Sequence, residues 1–94
     1  MPDKSKAHSE IEITIVVSGQ PERLKANDHQ RLEILVREAL ARSGNEGQPP
    51  SDWELRTEDG RLLDQEQTVA QAEIVKGQTL FLSPKAGGGG STGW

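Results

Sequence analysis

The chain has 94 residues with 32% hydrophobic side chains and a net charge of -4, which suits one small, acidic domain. It has no cysteine, so disulfides, thiolate zinc sites and thiol nucleophiles are excluded, and we expect a cytoplasmic protein. There is no basic block to counter phosphates, and no apolar run approaches the roughly 18 residues that a membrane span needs. We therefore expect neither a nucleic-acid partner nor a membrane segment.

A polar start is followed by a predicted β-hairpin. Residues 1–9 show no hydrophobic period, which predicts a disordered tail. From residue 10 to 17, β-branched side chains alternate in the pattern of a strand with one buried face, and Val16 falls on the outward side. Residues 18–21 have turn chemistry, and residues 22–27 alternate again as a second strand.

One amphipathic helix is predicted over residues 28–43. Asn27 or Asp28 could cap it, and Gly44 could end it in a left-handed conformation. Ile34 lies off the apolar stripe, so it either packs beneath a flanking loop or stays exposed as a contact. The stripe itself has helical spacing and comprises Leu32, Leu35, Val36, Ala39 and Leu40.

After the helix, the sequence predicts a loop and a further hairpin. Residues 45–51 carry a proline pair that stiffens the route to the next strand. Residues 53–57 alternate as a third strand, with Trp53 expected in the core. The sequence Glu-Asp-Gly-Arg at 58–61 is a hairpin turn signal, because Asp-Gly tolerates positive φ. A short return strand is predicted at 61–64.

The last part of the domain predicts an irregular segment and a final strand. Residues 65–76 suggest a short turn or 3₁₀ segment under the sheet. Residues 79–83 form the final strand, with Phe81 facing outward. The order is β-β-α-β-β-β, which indicates an α+β fold with one helix packed across a mixed sheet of about five strands. The first and last strands are both apolar on one face, so we expect them side by side and parallel at its centre.

The chain is expected to leave this domain as a glycine-rich tail. Residues 87–90 are four consecutive glycines, which lose the most conformational entropy on ordering, so the tail should be flexible. We divide the chain into a disordered tail at 1–9, a domain at 10–84 and a flexible tail at 85–94. A linker is the alternative for the tail. No nucleophile with its base, no metal-ligand cluster and no phosphate loop is evident, so we expect neither an enzyme nor a cofactor or metal.

These features together resemble the ubiquitin-like β-grasp family. The likeness covers about residues 10–90 and rests on order and spacing. The matching pieces are the hairpin at 11–27, the helix at 28–43, the prolines at 49–50, Asp-Gly-Arg-Leu-Leu-Asp at 59–64, and Gly-Gln-Thr-Leu-Phe-Leu at 77–82 before the glycines.

More narrowly, the chain is similar to bacterial ubiquitin-like proteins encoded with E1-like, E2-like and JAB-type protease partners. That resemblance implies a glycine carboxylate that a partner enzyme adenylates with ATP and that is then joined to target proteins. The family's terminal diglycine would fall near Gly88 and Gly89, with Gly90 equally open. Because Ser91 to Trp94 follow, a JAB-type or other protease would first have to remove them. The bacterial relatives suggest antiviral defence as the setting.

The resemblance also points to a partner-binding surface, and we expect a monomer. Phe81 faces outward on the last strand, and either Arg56 or Thr57 stands where ubiquitin has an apolar residue. With Lys85 near the tail, Phe81 and Arg56 are the candidate contacts, although readers of ubiquitin itself should bind poorly. Two other functions remain open. One is a noncovalent interaction module with the tail as linker, and the other is a sulfur carrier that ends in a thiocarboxylate.

Overall fold

The computed structural model describes residues 10–85, which form a sheet and one helix. The predicted tails at residues 1–9 and 86–94 lie outside this range. No helix within residues 10–85 is long and apolar enough to cross a membrane. In chain order the elements are β1 (Glu10–Val17), β2 (Gln20–Asn27), α1 (Leu32–Arg42), a short 3₁₀ turn (Pro50–Asp52), β3 (Trp53–Thr57), β4 (Leu62–Leu63) and β5 (Thr79–Pro84).

The five strands make one mixed sheet in the order β2-β1-β5-β3-β4. β5 runs parallel to β1, with Ile15 opposite Leu80 and Val17 opposite Leu82. The remaining pairs are antiparallel. The expected α+β fold and the parallel pairing of the first and last strands are therefore confirmed. A parallel pair needs a long crossover connection, and α1, β3 and β4 all lie within it.

The core lies between α1 and one face of the sheet. Trp53 belongs to it at 6% exposure, as predicted, whereas Ile34 is 43% exposed and so takes the exposed alternative. Thr57 is the one buried polar residue of the described range. The buried apolar residues are Ile13, Ile15, Val17, Leu24, Ala26, Leu32, Leu35, Val36, Ala39, Leu40, Trp53, Leu55, Leu63, Val69, Ala72, Ile74, Leu80 and Leu82.

The β1–β2 turn is tighter than predicted. Ser18 has φ of 48° and Gly19 has φ of 91°, the two positive angles of a type I′ hairpin turn. Gln20 and Pro21 therefore already belong to β2, and the predicted four-residue turn at 18–21 was wrong. Pro21 is tolerated there because β2 is an edge strand, on which a proline whose nitrogen faces the open edge removes no hydrogen bond between strands.

The helix starts later than predicted. Asn27 does not cap it, because its side chain instead accepts a hydrogen bond from the His29 N–H at 3.1 Å and closes a local turn. α1 begins at Leu32, and no side chain of residues 10–85 caps its first turn. The predicted start at residue 28 and the predicted Asn27 or Asp28 cap were therefore wrong.

Carbonyl groups that are distant in sequence accept hydrogen bonds from the first N–H groups of α1 instead. The Leu32 N–H donates to the Gln67 carbonyl and the Glu33 N–H to the Gln65 carbonyl, both at 2.9 Å. These bonds replace a side-chain cap, because free N–H groups of a first helical turn need acceptors of any kind. At the other end, Gly44 follows the helix with φ of 87°, so the predicted glycine stop is confirmed.

The segment between β4 and β5 folds as a series of turns. Thr68 and Gln71 each accept a hydrogen bond from the other's backbone N–H, at 2.9 and 3.1 Å, and close one of these turns. Glu73 has φ of 59° in a second turn. The predicted turn is confirmed, but the 3₁₀ turn of the described range lies at Pro50–Asp52.

Candidate functional site

The face of the sheet opposite α1 carries a row of side chains that crosses four strands. Phe81 on β5 lies opposite Val16 on β1 and opposite Arg56 on β3. Arg56 in turn lies opposite Leu62 on β4. Directly opposed side chains on one face stand about 5 Å apart at Cβ, so these four residues form one surface. We name Val16, Phe81, Arg56 and Leu62 the outward row.

The outward row exposes apolar surface around one fixed cation. Phe81 is 42% exposed and Leu62 is 54% exposed. The Arg56 guanidinium donates to the Gly60 carbonyl at 2.9 Å and to the Glu54 carboxylate at 3.2 Å. These two bonds hold the charged end toward the β3–β4 turn. The stem of Arg56 therefore stands between the two large apolar side chains of the row.

The burial of Thr57 shows which residue of β3 faces outward. Thr57 is 6% exposed and points into the core, so Arg56 is the outward member of the pair that the sequence left open. The Thr57 hydroxyl donates to the Asp59 carboxylate and accepts from the Arg61 N–H at 3.1 Å. The bond from Thr57 lowers the pKa of Asp59 below its usual value of 3.8. Thr57 therefore closes the turn beside the outward row.

The end of β5 is held against the start of β3. Pro84 lies opposite Trp53 in the sheet, and the Lys85 N–H donates to the Asp52 carbonyl at 2.9 Å. The backbone is therefore fixed up to Lys85, two residues before the first of the four glycines. Gly88, Gly89 and Gly90, the candidate joined residues, lie outside the described residues.

A groove opens beside this fixed end of the chain. It has a volume of about 770 Å³ and lies between α1, the Pro50–Asp52 turn and the β3–β4 hairpin. We name it the tail-root groove, because Lys85 lines it. Its apolar lining consists of Pro49, Pro50, Trp53, Leu55, Leu62 and Leu63.

The three predicted contact residues lie partly in the outward row and partly at the tail-root groove. Arg56 and Phe81 are brought together in the outward row. Lys85 is exposed four residues after Phe81, beyond the end of β5, and lines the tail-root groove. Leu62 belongs to both places, so the row and the groove adjoin each other at β4.

Sequence reasoning did not single out Val16 and Leu62 as candidate contacts. Val16 carried a signal, because it is an apolar residue at an outward position of an alternating strand. Leu62 carried a weaker one, since two consecutive leucines in a strand must face opposite sides. The groove gave no signal, because its walls come from parts of the chain that are far apart in sequence. Among residues 10–85, no three His, Asp or Glu side chains gather as a metal site.

This architecture defines a ubiquitin-like α+β protein, as comparison with solved structures shows. A solved protein designed de novo on the basis of ubiquitin matches with a TM-score of 0.72, covering 88% of this chain and 98% of the design. The sequence identity is 24%, so this likeness concerns the fold alone.

The chain belongs to the family described as Protein of Unknown function (DUF2604), whose model matches residues 6–90. It is also similar to the uncharacterized protein y4jI of Sinorhizobium fredii (strain NBRC 101917 / NGR234), with 41% identity over 81 residues. The match covers 86% of this chain and 62% of that protein. The chain thus spans less than two thirds of that curated relative.

Proposed function

We propose that this chain is a ubiquitin-like protein modifier, joined to targets through a glycine among Gly88, Gly89 and Gly90. The observation that supports it most is the end of β5, which is fixed by the Lys85 N–H bond to the Asp52 carbonyl two residues before four consecutive glycines. An activating enzyme has to thread the reactive end as extended backbone through a narrow channel. Glycine suits that passage because it has no Cβ to clash.

The proposed chemistry needs a free carboxylate from this chain and catalysis from its partners. A JAB-type or other protease hydrolyses the peptide bond after the joined glycine. The new carboxylate attacks the α-phosphorus of ATP on an E1-like enzyme and releases pyrophosphate. A partner cysteine then displaces AMP to form a thioester, which passes to an E2-like enzyme. A target amine finally displaces that thiol and forms an amide.

The proposed setting is the bacterial cytoplasm, with antiviral defence as the biological role. Both parts come from the resemblance to bacterial ubiquitin-like proteins encoded with such enzymes. In this scheme the folded domain is not an enzyme and binds neither cofactor nor metal. It acts as a monomeric recognition surface for the partner enzymes, through the outward row and Lys85.

A proteolytic remnant would test the proposal directly. The chain, with an N-terminal epitope tag, is expressed in its native host, and heavier tagged species are purified and digested with trypsin. Cleavage after Lys85 would leave residues 86–88, 86–89 or 86–90 on the modified lysine of the target. We expect this remnant by mass spectrometry, and its length identifies the joined glycine.

Two variants make the test specific. Replacing Gly88, Gly89 and Gly90 together by alanine should abolish the heavier species, whereas Gly93→Ala, in the segment to be removed, should leave them unchanged. A wild-type chain that keeps its full mass in the native host and leaves no remnant would overturn the proposal.

The outward row favours a second candidate, a noncovalent interaction module. Phe81 and Leu62 expose large apolar side chains that a partner could cover. This alternative predicts that removal of residues 87–94 leaves binding to native partners unchanged. Co-purification of the full and the shortened chain, compared by quantitative mass spectrometry, separates the two functions.

A further inference from the structure

Three parts of the fold that form the tail-root groove are hydrogen-bonded to one residue, Gln65. Gln65 Nε2 donates to the Pro50 carbonyl at 3.1 Å and to the Trp53 carbonyl at 2.8 Å. The Gln65 carbonyl accepts from the Glu33 N–H at the start of α1 at 2.9 Å. The helix wall and the proline wall are therefore fixed relative to each other. A groove fixed in this way binds without the free-energy cost of ordering its walls.

The groove is large enough for several side chains, and part of its lining is apolar. A volume of about 770 Å³ lies in the range of ligand sites and exceeds the space that one side chain fills. Pro49 is exposed on one wall, and Leu62 is 54% exposed on the other. An apolar side chain that enters the groove would remove both surfaces from water.

The charges that line the groove are unbalanced toward acid. Four carboxylates line it, from Glu33, Glu54, Asp64 and Glu66, against the two cations of Arg37 and Lys85. The Glu33 carboxylate forms an ion pair with the Arg37 guanidinium at 2.9 Å. The Glu54 carboxylate forms one at 3.2 Å with the guanidinium of Arg56, which does not line the groove.

Two further carboxylates, Asp64 and Glu66, lie at one wall of the groove. Asp64 and Glu66 are exposed and pair with no cation of residues 10–85. Asp64 instead accepts the Glu66 N–H at 2.9 Å, which holds the two residues in one turn. A ligand that complements this wall carries positive charge.

We propose that the tail-root groove binds a peptide segment of a partner protein in which an apolar side chain is flanked by lysine or arginine. The apolar side chain packs against the exposed lining at Pro49 and Leu62, and the flanking cations face Asp64 and Glu66. This interaction is noncovalent and requires neither ATP nor a free glycine carboxylate. It therefore stands or falls independently of the modifier function.

Matched peptides on the full chain test this binding. The probes are acetylated, amidated hexapeptides with leucine or tryptophan at the two central positions, flanked by lysine in one set and by glutamate in the other. They are titrated into the ¹⁵N-labelled full chain. We expect the lysine set to bind, with shift changes at Glu33, Gln65 and Glu66 and with affinity that falls as salt is added.

Charge neutralisation supplies the matched control. Asp64→Asn with Glu66→Gln should weaken binding of the lysine set about five- to tenfold, the scale of two exposed ion pairs. Glu46→Gln with Glu58→Gln changes the net charge equally at exposed positions outside the groove lining, and should leave the affinity within about twofold.

Three outcomes would overturn the proposal. Equal binding of the lysine and glutamate sets would show that Asp64 and Glu66 do not select cationic peptides. Shift changes centred on Phe81 would show that the peptide binds to the outward row. Binding that appears only after residues 86–94 are removed would instead assign the groove to this chain's own tail. None of these results depends on whether glycine remnants are found on target proteins.

Discussion

The two faces of the sheet differ sharply along a single strand. On β5, Leu80 and Leu82 are 0% and 1% exposed against α1, whereas Phe81 between them is 42% exposed on the opposite face. The inner face is nearly all apolar, with Thr57 as the buried polar residue of the described range. The outer face mixes Phe81 and Leu62 with the pinned cation of Arg56.

This difference separates residues that stabilise the fold from residues that are available to partners. Complete burial of a leucine side chain contributes about 1.5–3 kcal/mol to the free energy of folding. A side chain that remains half exposed contributes much less. Substitutions on the outer face can therefore change recognition with little effect on the fold, and the following variants test that separation.

The largest effect should come from Leu80→Ala on the inner face. Leu80 is fully buried between β1 and β3, so its truncation removes apolar contacts and leaves a cavity. We expect the free energy of unfolding to fall by about 2–5 kcal/mol, measured by urea titration. A loss below about 1 kcal/mol would mean that the two faces contribute alike to stability.

A smaller loss is expected from Gln65→Ala at the edge of the core. This change removes the bonds to the Pro50 and Trp53 carbonyls and leaves both acceptors to find water. We expect unfolding to become easier by about 1–3 kcal/mol. Gln20→Ala is the control, because the Gln20 side chain bonds one exposed carboxylate and its loss should cost less than about 0.5 kcal/mol. Equal effects would show that Gln65 does not fix the groove.

Phe81→Ala should lower the free energy of unfolding less than either Leu80→Ala or Gln65→Ala. Its neighbour Leu80 provides the comparison on the same strand, since the two residues differ in the face that they occupy. We expect the free energy of unfolding to fall by less than about 1 kcal/mol, while partners that cover the outward row are lost from co-purification. A loss as large as that of Leu80→Ala would contradict a partner-facing role.

The smallest effect is confined to acidic solution and concerns Asp59. Its pKa in the folded chain lies below the usual 3.8 because the Thr57 hydroxyl donates to it. The stabilisation is therefore fully present above about pH 3.8 and is lost as pH falls through the folded-state pKa. Asp59→Asn keeps an acceptor for Thr57 but cannot titrate. We expect its thermal midpoint to fall less steeply than that of the wild type below pH 4, and parallel curves would contradict this.

Much of the fold was accessible from the sequence because its signals are local and periodic. Alternation along β1 and β5 indicated which side chains are buried, and the apolar stripe of α1 gave the helix face. The start of α1 was not accessible, because Gln65 and Gln67 supply the acceptors from more than thirty positions away. Local reasoning preferred the nearby Asn27, which closes a turn instead.

The candidate site was likewise only partly predictable from the sequence. The outward position of Phe81 followed from alternation along β5. The sequence left open whether Arg56 or Thr57 lies beside it on β3, and the strand register shows that it is Arg56. The tail-root groove could not be predicted, because a proline turn, a helix and a short hairpin form it together. The glycines lie outside the described residues, so their role remains a prediction from the sequence.

The parallel pairing of β1 and β5 has a mechanical consequence. Force applied to the start of β1 and to the end of β5 pulls these adjacent strands in opposite directions along their length. The evenly spaced hydrogen bonds between residues 14–17 and 79–82 are then loaded together in shear, rather than opened one after another. A motor that pulls on a substrate attached to the end of β5, while the start of β1 is anchored, would therefore have to break these hydrogen bonds together.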